Sequence, residues 1–322
     1  MSTNLKAPKL ILPFPRVVRI EPASQCNLAC NHCPTGTIEM ERGVMKKDTF
    51  DKIFEAIQTE RDKIKVVVLY HGGEPLLNKQ FFEMVKRLRT LGNIMIKTVT
   101  NGMVMTDSMM TQLADCGLDS IEFSLDGLSP EQNDFIRVNS QYSKIVSNIK
   151  RLIRYLDGHQ KGKPEVFIAT TQFKNHSPAK EDGNPALPEH LLNEFSGPEK
   201  IDPSHFKSTY AMHWPHIHIP DEVYDVVIDP ADDTVRNYCD HVINTISIRD
   251  NGDVVPCCYD LTSQSVMGNV HEESLSAIWN NPAYQALRQS IHEKKFIPLC
   301  DGCNVVKPNA FLHVKENAFP DA

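Results

Sequence analysis

The sequence lacks several features that define whole classes of protein. No apolar run approaches the roughly 20 residues that a membrane-spanning helix needs, so we expect no membrane partner. Lys and Arg total 34 against 41 Asp and Glu, a net charge of -7, which argues against general binding of nucleic acid phosphates. There is no repeat at solenoid period and no low-complexity segment. These absences leave a globular protein of 322 residues, enough for about two domains.

The N-terminal segment also lacks the features of a secretory signal. MSTNLKAPKLILPFP combines a short apolar stretch with three prolines. We therefore expect a cytoplasmic protein, in which thiols stay reduced. In that compartment the nine cysteines are better explained as metal ligands than as disulfides. Eight of the nine fall in two groups, three near the N-terminus and five after residue 238.

The first group is the motif CNLACNHC, which contains Cys26, Cys30 and Cys33. The spacing C-x3-C-x2-C places three thiolates around one point. A tetrahedral protein site needs four ligands, so this motif supplies one fewer than such a site requires. Iron–sulfur clusters are held by Cys thiolates, and three of them leave one iron open to a ligand that is not protein. A zinc knuckle or a group of buried thiols is the alternative, although zinc loops favour C-x2-C pairs with a second pair downstream.

Apolar patterning predicts six strand–helix repeats. The predicted strands are Val17–Glu21, Ile64–Tyr70, Asn93–Thr100, Ser120–Leu125, Val166–Gln172 and His205–His213. The continuous apolar run IKVVVLY further predicts a strand that is buried on both faces. Alternating strands and helices imply parallel strands with right-handed crossovers, and the site of such a fold lies at the carboxyl ends of its strands. The cysteine loop, HGGEP, Asn101-Gly102 and Asp126-Gly127 all fall at that edge.

After Pro230 the pattern changes to that of a small α+β unit. Thr245–Arg249 and Val254–Pro256 flank Asp250-Asn251-Gly252-Asp253, which is a strong hairpin signal. Two helical segments and a C-x2-C pair follow. Four cysteines of this region suit a fully ligated [4Fe–4S] cluster, with a structural zinc ion as the alternative. They are Cys239, Cys257, Cys300 and Cys303.

Together these motifs resemble the radical S-adenosylmethionine (SAM) superfamily. The resemblance covers about residues 16–310 and is weakest over 173–238, the segment expected to face substrate. It implies an α/β fold, a partial (β/α)6 TIM-like barrel with a small C-terminal α+β iron–sulfur domain of the SPASM/twitch type. C-x12-G-x4-C, VMGNV, SLSAIWN and the final C-x2-C indicate that second domain. No cysteine follows Cys303, which favours the shorter twitch version; the pattern is most similar to that of 2-deoxy-scyllo-inosamine dehydrogenases.

The resemblance also implies a domain layout and a set of cofactors. The layout is an extension (1–15), a radical SAM partial barrel (16–235), an auxiliary-cluster domain (236–310) and a tail (311–322). The N-terminal cysteine triad would hold a [4Fe–4S] cluster whose open iron binds exchangeable SAM. The four later cysteines would hold an auxiliary [4Fe–4S] cluster. The implied partners are a reductant such as flavodoxin or ferredoxin and a small-molecule substrate or peptide, with no nucleic acid and no membrane.

Five residues are expected to bind SAM by the same resemblance. Gly72, Gly73 and Glu74 form the GGE turn that accepts hydrogen bonds from the SAM amino group; taken alone, it could be an ordinary glycine turn. Ser124 and Arg137 match the positions that hold the SAM carboxylate and ribose, although Arg137 could also be a solvated helix residue. The family motif G-x-I-x-G-x-x-E is not evident in VFIATTQF, so the adenine site is undefined.

Cys258 is the candidate catalytic residue. Because neighbouring side chains of a strand point to opposite faces, Cys257 and Cys258 are not expected to bind the same cluster. The simpler interpretation of Cys258 is a buried small residue. The alternative is a thiol that donates a hydrogen atom to a substrate radical, as in epimerases of the superfamily. Thr171 and Tyr210, at predicted strand ends, are candidates for substrate contact.

The resemblance implies reductive cleavage of SAM to a 5′-deoxyadenosyl radical that abstracts a substrate hydrogen atom. A fully ligated auxiliary cluster favours electron transfer, and hence oxidation of a small polar substrate, which could be a sugar, a cyclitol or nucleoside-like. A peptide-modifying maturase and a radical epimerase or decarboxylase are the alternatives. A non-enzymatic scaffold stabilised by zinc or a cluster is a further one, but such a scaffold has no use for a GGE turn.

Overall fold

The structure is a computed structural model that describes residues 10–158, 163–174, 184–215, 219–228, 233–308, 310–315 and 318–319. Residues 1–9 of the predicted extension, and 316–317 and 320–322 of the predicted tail, lie outside the described residues. In the described ranges no helix has the length and apolar character needed to cross a membrane.

Strands and helices alternate through the first two thirds of the chain. The strands are β1 (Val17–Ile20), β2 (Val66–Leu69), β3 (Met95–Thr100), β4 (Ser120–Ser124), β5 (Glu165–Gln172), β6 (Phe206–Tyr210), β7 (Tyr224–Ile228), β8 (Thr245–Ile248), β9 (Asp253–Val255), β10 (Gly268–Asn269) and β11 (Ala310–Val314). The helices are α1 (Pro34–Thr37), α2 (Lys47–Thr59), α3 (Phe81–Arg89), α4 (Asp107–Asp115), α5 (Pro130–Ile136), α6 (Tyr142–Asp157), α7 (Glu189–Glu194), α8 (His241–Asn244), α9 (Leu275–Trp279), α10 (Pro282–His292) and α11 (Pro298–Asp301). Short 3₁₀ turns lie at Pro75–Leu77 and Pro203–His205.

Capping side chains explain where several helices begin. The Thr106 hydroxyl accepts a hydrogen bond from the backbone N–H of Met109 at the start of α4. The Ser129 hydroxyl does the same at the start of α5, where Pro130 occupies the first helical position. Such groups satisfy backbone donors that the first turn of a helix leaves free.

Nine strands form one sheet in the order β10-β9-β8-β1-β2-β3-β4-β5-β6. β8 and β1 to β6 run parallel, and β9 and β10 continue the sheet antiparallel. Within the described residues β6 and β10 are the two edges, so the barrel is open. The predicted partial barrel of six parallel strands is confirmed.

Burial alternates along the parallel strands and defines two faces of the sheet. Val67 and Leu69 of β2 are fully buried, whereas Val66 and Val68 are half-exposed. The prediction that this strand is buried on both faces is therefore wrong. The buried residues belong to the apolar core, and the half-exposed ones line the concave side, because a partial barrel does not fill its interior. We call this concave side the lumen face; its residues include Arg19, Val68, Tyr70, Lys97, Val99, Glu122, Ser124, Phe167, Ala169 and Thr171.

The C-terminal segment joins the barrel sheet instead of forming a separate sheet. β8 pairs in parallel with β1, with Ile246 opposite Val18. The predicted extension is also anchored here: the backbone N–H of Leu12 donates to Asn280 Oδ1 over 2.9 Å, and the indole N–H of Trp279 donates to the Pro13 carbonyl over 2.9 Å. One continuous apolar core therefore runs from the barrel helices to α9 and α10.

A second sheet pairs β7 with β11, which lies largely in the segment predicted as a tail. It covers the cysteine loop. The hydroxyl of Tyr224, on β7, donates to Asn31 Oδ1 over 2.6 Å, and its ring stacks on Phe173 with 5.1 Å between centroids. Burial of Leu312 and Val314 explains why the segment is ordered as a strand. The segment 173–238, which has the weakest resemblance, thus contributes the strand β7 to the sheet that covers the cysteine loop.

Replacement of Ile246 by Ala tests the joint between β8 and the barrel. Ile246 is fully buried, so we expect the free energy of unfolding to fall by about 2–5 kcal/mol. Ile228→Ala is the matched control, because Ile228 is 53% exposed and its loss should change stability by about 0.5 kcal/mol or less. Anaerobic urea unfolding of the cluster-containing protein, followed by circular dichroism, measures both. Equal effects of the two variants would contradict a shared core.

Candidate active site

Cys26, Cys30 and Cys33 line one cavity of about 200 Å³ at the carboxyl edge of the sheet. The loop folds tightly after β1: the N–H of Cys33 donates to the Cys30 carbonyl over 3.2 Å, and Cys33 caps α1. A Cβ atom on Gly36 would lie 2.4 Å from the Cys30 carbonyl oxygen, so only glycine allows this fold. The sequence motif therefore becomes a compact loop with its three thiols on one cavity wall.

The electrostatics of the triad suit a bound metal group. Burial raises the pKa of the Cys30 thiol to about 12, with Arg137 opposing the shift and Cys33 adding to it. Burial also raises the pKa of Cys26. Protein groups alone therefore keep these thiols protonated. A coordinated metal removes the thiol proton outright, so the donor set fits an iron–sulfur cluster.

The GGE turn packs directly on the start of the cysteine loop. The N–H of Glu74 donates to the Gln25 carbonyl over 2.8 Å, and the Thr35 hydroxyl donates to the Gly72 carbonyl over 2.7 Å. A Cβ atom on Gly73 would lie 2.3 Å from the Ala23 carbonyl oxygen. Both glycines line the cavity. The turn and the loop are thus fixed to one another by backbone contacts.

The Glu74 carboxylate is used by the fold itself. It is buried and accepts hydrogen bonds from the Thr100 hydroxyl over 2.8 Å, the Asn101 N–H over 2.7 Å and the Leu76 N–H over 3.1 Å. Burial raises the pKa of Glu74, and these donors oppose the shift. Asn101 in turn donates to Asn27 Oδ1 over 2.8 Å. Glu74 therefore ties the ends of β2 and β3 to the cysteine loop, and its contact with SAM stays a prediction.

Arg137 is buried and ion-paired, so the alternative of a solvated helix residue is wrong. It ends α5, and its Nη1 donates to Asp126 Oδ2 over 2.7 Å. Its Nε is buried without a hydrogen-bond partner in the described structure. Ser124, Asp126 and Arg137 all line the cavity beside the cysteine triad. A buried guanidinium with a spare donor suits an anionic ligand such as a carboxylate.

Asp126 anchors this pair, and sequence reasoning did not select it as a site residue. Its Oδ1 accepts the Thr171 N–H over 2.9 Å. Burial raises the pKa of Asp126, but the charge of Arg137 and its hydrogen bond lower it by more, so the pKa of this carboxyl lies below its usual range. Burial lowers the pKa of His32, whose Nε2 lies 4.0 Å from Asp126 Oδ2. The position of Asp126 at a strand end, shortly before Arg137, was the available signal.

Glu21 is a second residue that the motifs did not reveal. It follows β1 and is fully buried. Its Oε1 accepts the Gly72 N–H over 3.0 Å, and its Oε2 accepts Arg249 Nε over 2.7 Å and the Asp250 N–H over 3.3 Å. One carboxylate therefore joins the GGE turn to the end of β8. A charged residue at the end of an apolar strand was the only local signal.

The four later cysteines lie together and are buried. Cys239 precedes α8, Cys257 follows β9, and Cys300 and Cys303 flank the end of α11. Burial raises the pKa of Cys257 well above its usual range, that of Cys300 to about 12 and that of Cys303 to about 11. The charge of Cys239 adds to each of these shifts. The predicted grouping of the four thiols is therefore observed.

Cys258 does not occupy the environment assumed from the sequence. β9 ends at Val255, so Cys257 and Cys258 lie in a turn and the alternation of a strand does not apply to them. Burial raises the pKa of Cys258, and Arg19 opposes the shift. Cys258 is partly exposed and stands beside Cys257, between the auxiliary cysteines and the lumen face. Its role as a hydrogen-atom donor stays a prediction, as does the substrate role of Tyr210; Thr171 lines the cavity.

Neither group of cysteines has the geometry of a single-ion site. In the described residues no three His, Cys, Asp or Glu side chains are placed to hold one metal ion. A zinc ion needs sulfur atoms at about 2.3 Å from one centre, whereas a cluster of four irons is wider and spaces its thiolates further apart. A cavity of about 440 Å³ lies elsewhere, between residues 40–49 and the β8–β9 turn, and no cysteine lines it. The cavity of about 200 Å³ is the one that the cysteine triad lines.

Both cysteine groups lie within segments that match known families. Residues 20–163 match the radical SAM superfamily, and residues 239–304 match the SPASM iron–sulfur cluster-binding domain. This chain carries a radical SAM domain and a SPASM domain. Its cofactors are SAM and [4Fe–4S] clusters. The predicted superfamily, fold class and cofactors are confirmed.

Relatives of this radical SAM enzyme have diverse roles. It is 26% identical, over 89% of its length and 86% of the relative, to the tungsten-containing aldehyde ferredoxin oxidoreductase cofactor-modifying protein of Pyrococcus furiosus. It is 31% identical to the mycofactocin maturase MftC of Mycobacterium tuberculosis, over only 39% of this chain and 32% of MftC. The crystal structure of BtrN with AdoMet and 2-DOIA superposes with a TM-score of 0.58 over 91% of this chain and 94% of BtrN. At 19% identity, that likeness shows the fold alone.

Replacement of Gly73 by Ala tests the close packing of the GGE turn. The added methyl group would meet backbone atoms on the cysteine loop, so the turn must shift and we expect SAM affinity to fall by more than about tenfold. Gly197→Ala is the matched control, because nothing lies within 4 Å of a Cβ atom there. Anaerobic equilibrium binding of SAM to the reconstituted proteins measures the effect. Normal SAM affinity in Gly73→Ala would contradict this packing.

Asp250 makes a testable contribution to the pH dependence of stability. Burial and the nearby Glu21 charge raise the pKa of Asp250 to about 6. Because the folded-state pKa lies above the ordinary value of about 3.9, ionisation of Asp250 destabilises the fold increasingly as the pH rises from 4 to 6. Asp250→Asn mimics the protonated side chain, so it should stabilise the protein at pH 7.5 and less at pH 5. Urea unfolding at both values measures this; an equal effect at both would contradict the assignment.

Proposed function

We propose that this radical SAM enzyme is an oxidoreductase that removes hydrogen from a small polar substrate, a sugar, a cyclitol or a nucleoside-like molecule. The observation that carries the proposal is the convergence of three motifs on one cavity. The residues involved are Cys26, Cys30, Cys33, Gly72, Gly73, Glu74, Ser124 and Arg137. When bound, SAM and the clusters supply one-electron transfer and the 5′-deoxyadenosyl radical that abstracts a hydrogen atom.

The chain's own residues would bind and orient these groups. The cysteine triad would hold the first cluster, the GGE turn would face the SAM amino group, and Arg137 Nε would donate to the SAM carboxylate or ribose. The Arg137–Asp126 pair is already in place, so little reorganisation accompanies binding. The β7–β11 sheet over the cysteine loop would exclude water from the radical.

The four auxiliary cysteines are the basis for proposing that the substrate is oxidised. Cys239, Cys257, Cys300 and Cys303 would use all four ligand positions of their cluster, so substrate could not bind to it without displacing a thiolate. Electron transfer is then its role. A substrate carbon that gives a hydrogen atom to 5′-deoxyadenosyl, then an electron to this cluster and a proton to a base, leaves as an oxidised product.

Modification of a peptide or of another enzyme's cofactor is the second candidate. It is favoured by the relatives, since one of them modifies a tungsten cofactor and MftC is a maturase. Hydrogen return to the radical, giving epimerisation, would use Cys258. In each case we propose that a flavodoxin or ferredoxin in the cytoplasm supplies the starting electron.

Separate loss of the two clusters tests the proposal. Cys30→Ala should abolish formation of 5′-deoxyadenosine with dithionite, because the triad loses a ligand. Cys300→Ala should still form 5′-deoxyadenosine but no oxidised product, because the substrate radical has no electron acceptor. Cys116→Ala is the matched control, since Cys116 is a buried thiol of the apolar core. Iron content, 5′-deoxyadenosine and product are measured by anaerobic assay and mass spectrometry.

Two outcomes would overturn these assignments. 5′-Deoxyadenosine from Cys30→Ala would remove the triad as the site of SAM cleavage. An unchanged product yield from Cys300→Ala would remove the auxiliary cluster as electron acceptor. Deuterium transfer from labelled candidate substrates into 5′-deoxyadenosine, compared between the wild type and Cys116→Ala, then identifies the substrate carbon.

A further inference from the structure

The lumen face carries positive charge that the proposed chemistry does not use. Lys207 of β6 donates to Glu122 of β4, so these two charges compensate one another. Glu165 lies at the exposed start of β5. Arg19 of β1 and Lys97 of β3 form no ion pair within the described residues. Two cations without an ion pair among the described residues therefore face the inside of the open barrel.

Arg19 also has an incomplete set of hydrogen bonds. Its Nη1 donates to the Tyr70 carbonyl over 3.3 Å, and Tyr70 lines the cavity of the cysteine triad. Its Nε and the Ser247 hydroxyl are both buried without a partner. The two residues are opposite one another in the β1–β8 register, so they lie on neighbouring strands about 4.8 Å apart. An unsatisfied buried polar group costs about 1–3 kcal/mol, so these two neighbouring groups are donors available to a bound anion.

The register places the backbone of these residues below the cofactor cavity. The backbone of Arg19 is opposite Val68, two residues before Tyr70, and so lies about 7 Å deeper along the strand direction, while its guanidinium extends to the Tyr70 carbonyl at the edge of the cavity. β2 lies between β1 and β3, and Lys97 of β3 is opposite the same Val68. The two cations are therefore on strands about 10 Å apart. A small molecule between the cavity and this floor would meet both.

We propose that Arg19, Ser247 and Lys97 bind an anionic group of the substrate, a carboxylate or a phosphate. This inference rests on the proposed function, since it assumes that the lumen holds the molecule that reacts next to SAM. The guanidinium presents planar donors that match both anions, the hydroxyl adds a further donor, and the lysine adds charge. The substrate class narrows to a polyol, cyclitol or nucleoside that carries such a group, with its reacting C–H bond directed towards the cavity.

Anaerobic titration calorimetry of the reconstituted, SAM-bound enzyme tests this without turnover. The probes are inorganic phosphate, glucose 6-phosphate, glucuronate and glucose. We expect at least one anionic sugar to bind at least about tenfold more tightly than glucose. The comparison of glucose 6-phosphate with glucuronate distinguishes phosphate from carboxylate. In Arg19→Met and Lys97→Met the preference should fall about tenfold, and Arg19→Lys should restore part of it.

Lys86→Met is the matched control, because Lys86 is exposed on α3, outside the lumen face, and its loss should leave the preference unchanged. The inference is overturned if none of the anionic probes binds more tightly than glucose. It is also overturned if Arg19→Met keeps the preference and changes only the reduction potential of a cluster. Arg19 would then stabilise the charge of a cluster and would not bind the substrate. Failure of the proposed function is a separate result: it shows as absent 5′-deoxyadenosine in the wild type, whatever the titrations give.

Discussion

The buried carboxylate of Glu21 is the contact on which the two halves of the site depend. Its donors come from the GGE turn and from the end of β8, and the Arg249 guanidinium among them is buried. A buried charge is tolerated only when it is paired and fully hydrogen-bonded. Removal of Arg249 would leave that charge uncompensated, and removal of Glu21 would release the GGE turn. The position of the GGE turn, where we propose that SAM binds, therefore depends on docking of the segment that carries the auxiliary cysteines.

Charges are compensated differently at two levels of the barrel: the rim, which lies beside the cysteine triad, and the floor, which carries Arg19 and Lys97. At the rim, Glu74 and the Asp126–Arg137 pair are satisfied mainly by protein groups, so the cofactor side of the site is rigid before any ligand binds. At the floor, Arg19 and Lys97 form no ion pair within the described residues; Arg19 donates to the Tyr70 carbonyl through Nη1, and its Nε has no partner. The protein's own polar contacts thus fix the proposed cofactor site, and the cations at the floor remain for the substrate anion that we propose. This division suits a superfamily whose members share a cofactor and differ in substrate.

Local patterns predicted the barrel strands and both cysteine groups, because periodicity and ligand spacing are encoded within a few residues. They did not predict the pairing of β7 with β11, since the residues of a short strand do not indicate which distant strand will pair with it. They also missed that β8 extends the barrel sheet beside β1, and that α5 buries Arg137, whose helix is too short to show a clear apolar face. Each miss concerns a contact between distant segments, which packing decides.

By itself, the sequence determined the cofactor class, because thiolate chemistry and loop spacing are local properties of CNLACNHC. Tertiary structure decided which groups stand around that cofactor. The Glu21–Arg249 contact joins residues 228 positions apart, and Arg19 meets Ser247 over the same interval only because β8 lies next to β1. Such contacts depend on how the core packs as a whole. The sequence thus indicates how the reaction begins, and the fold sets which charges meet the substrate.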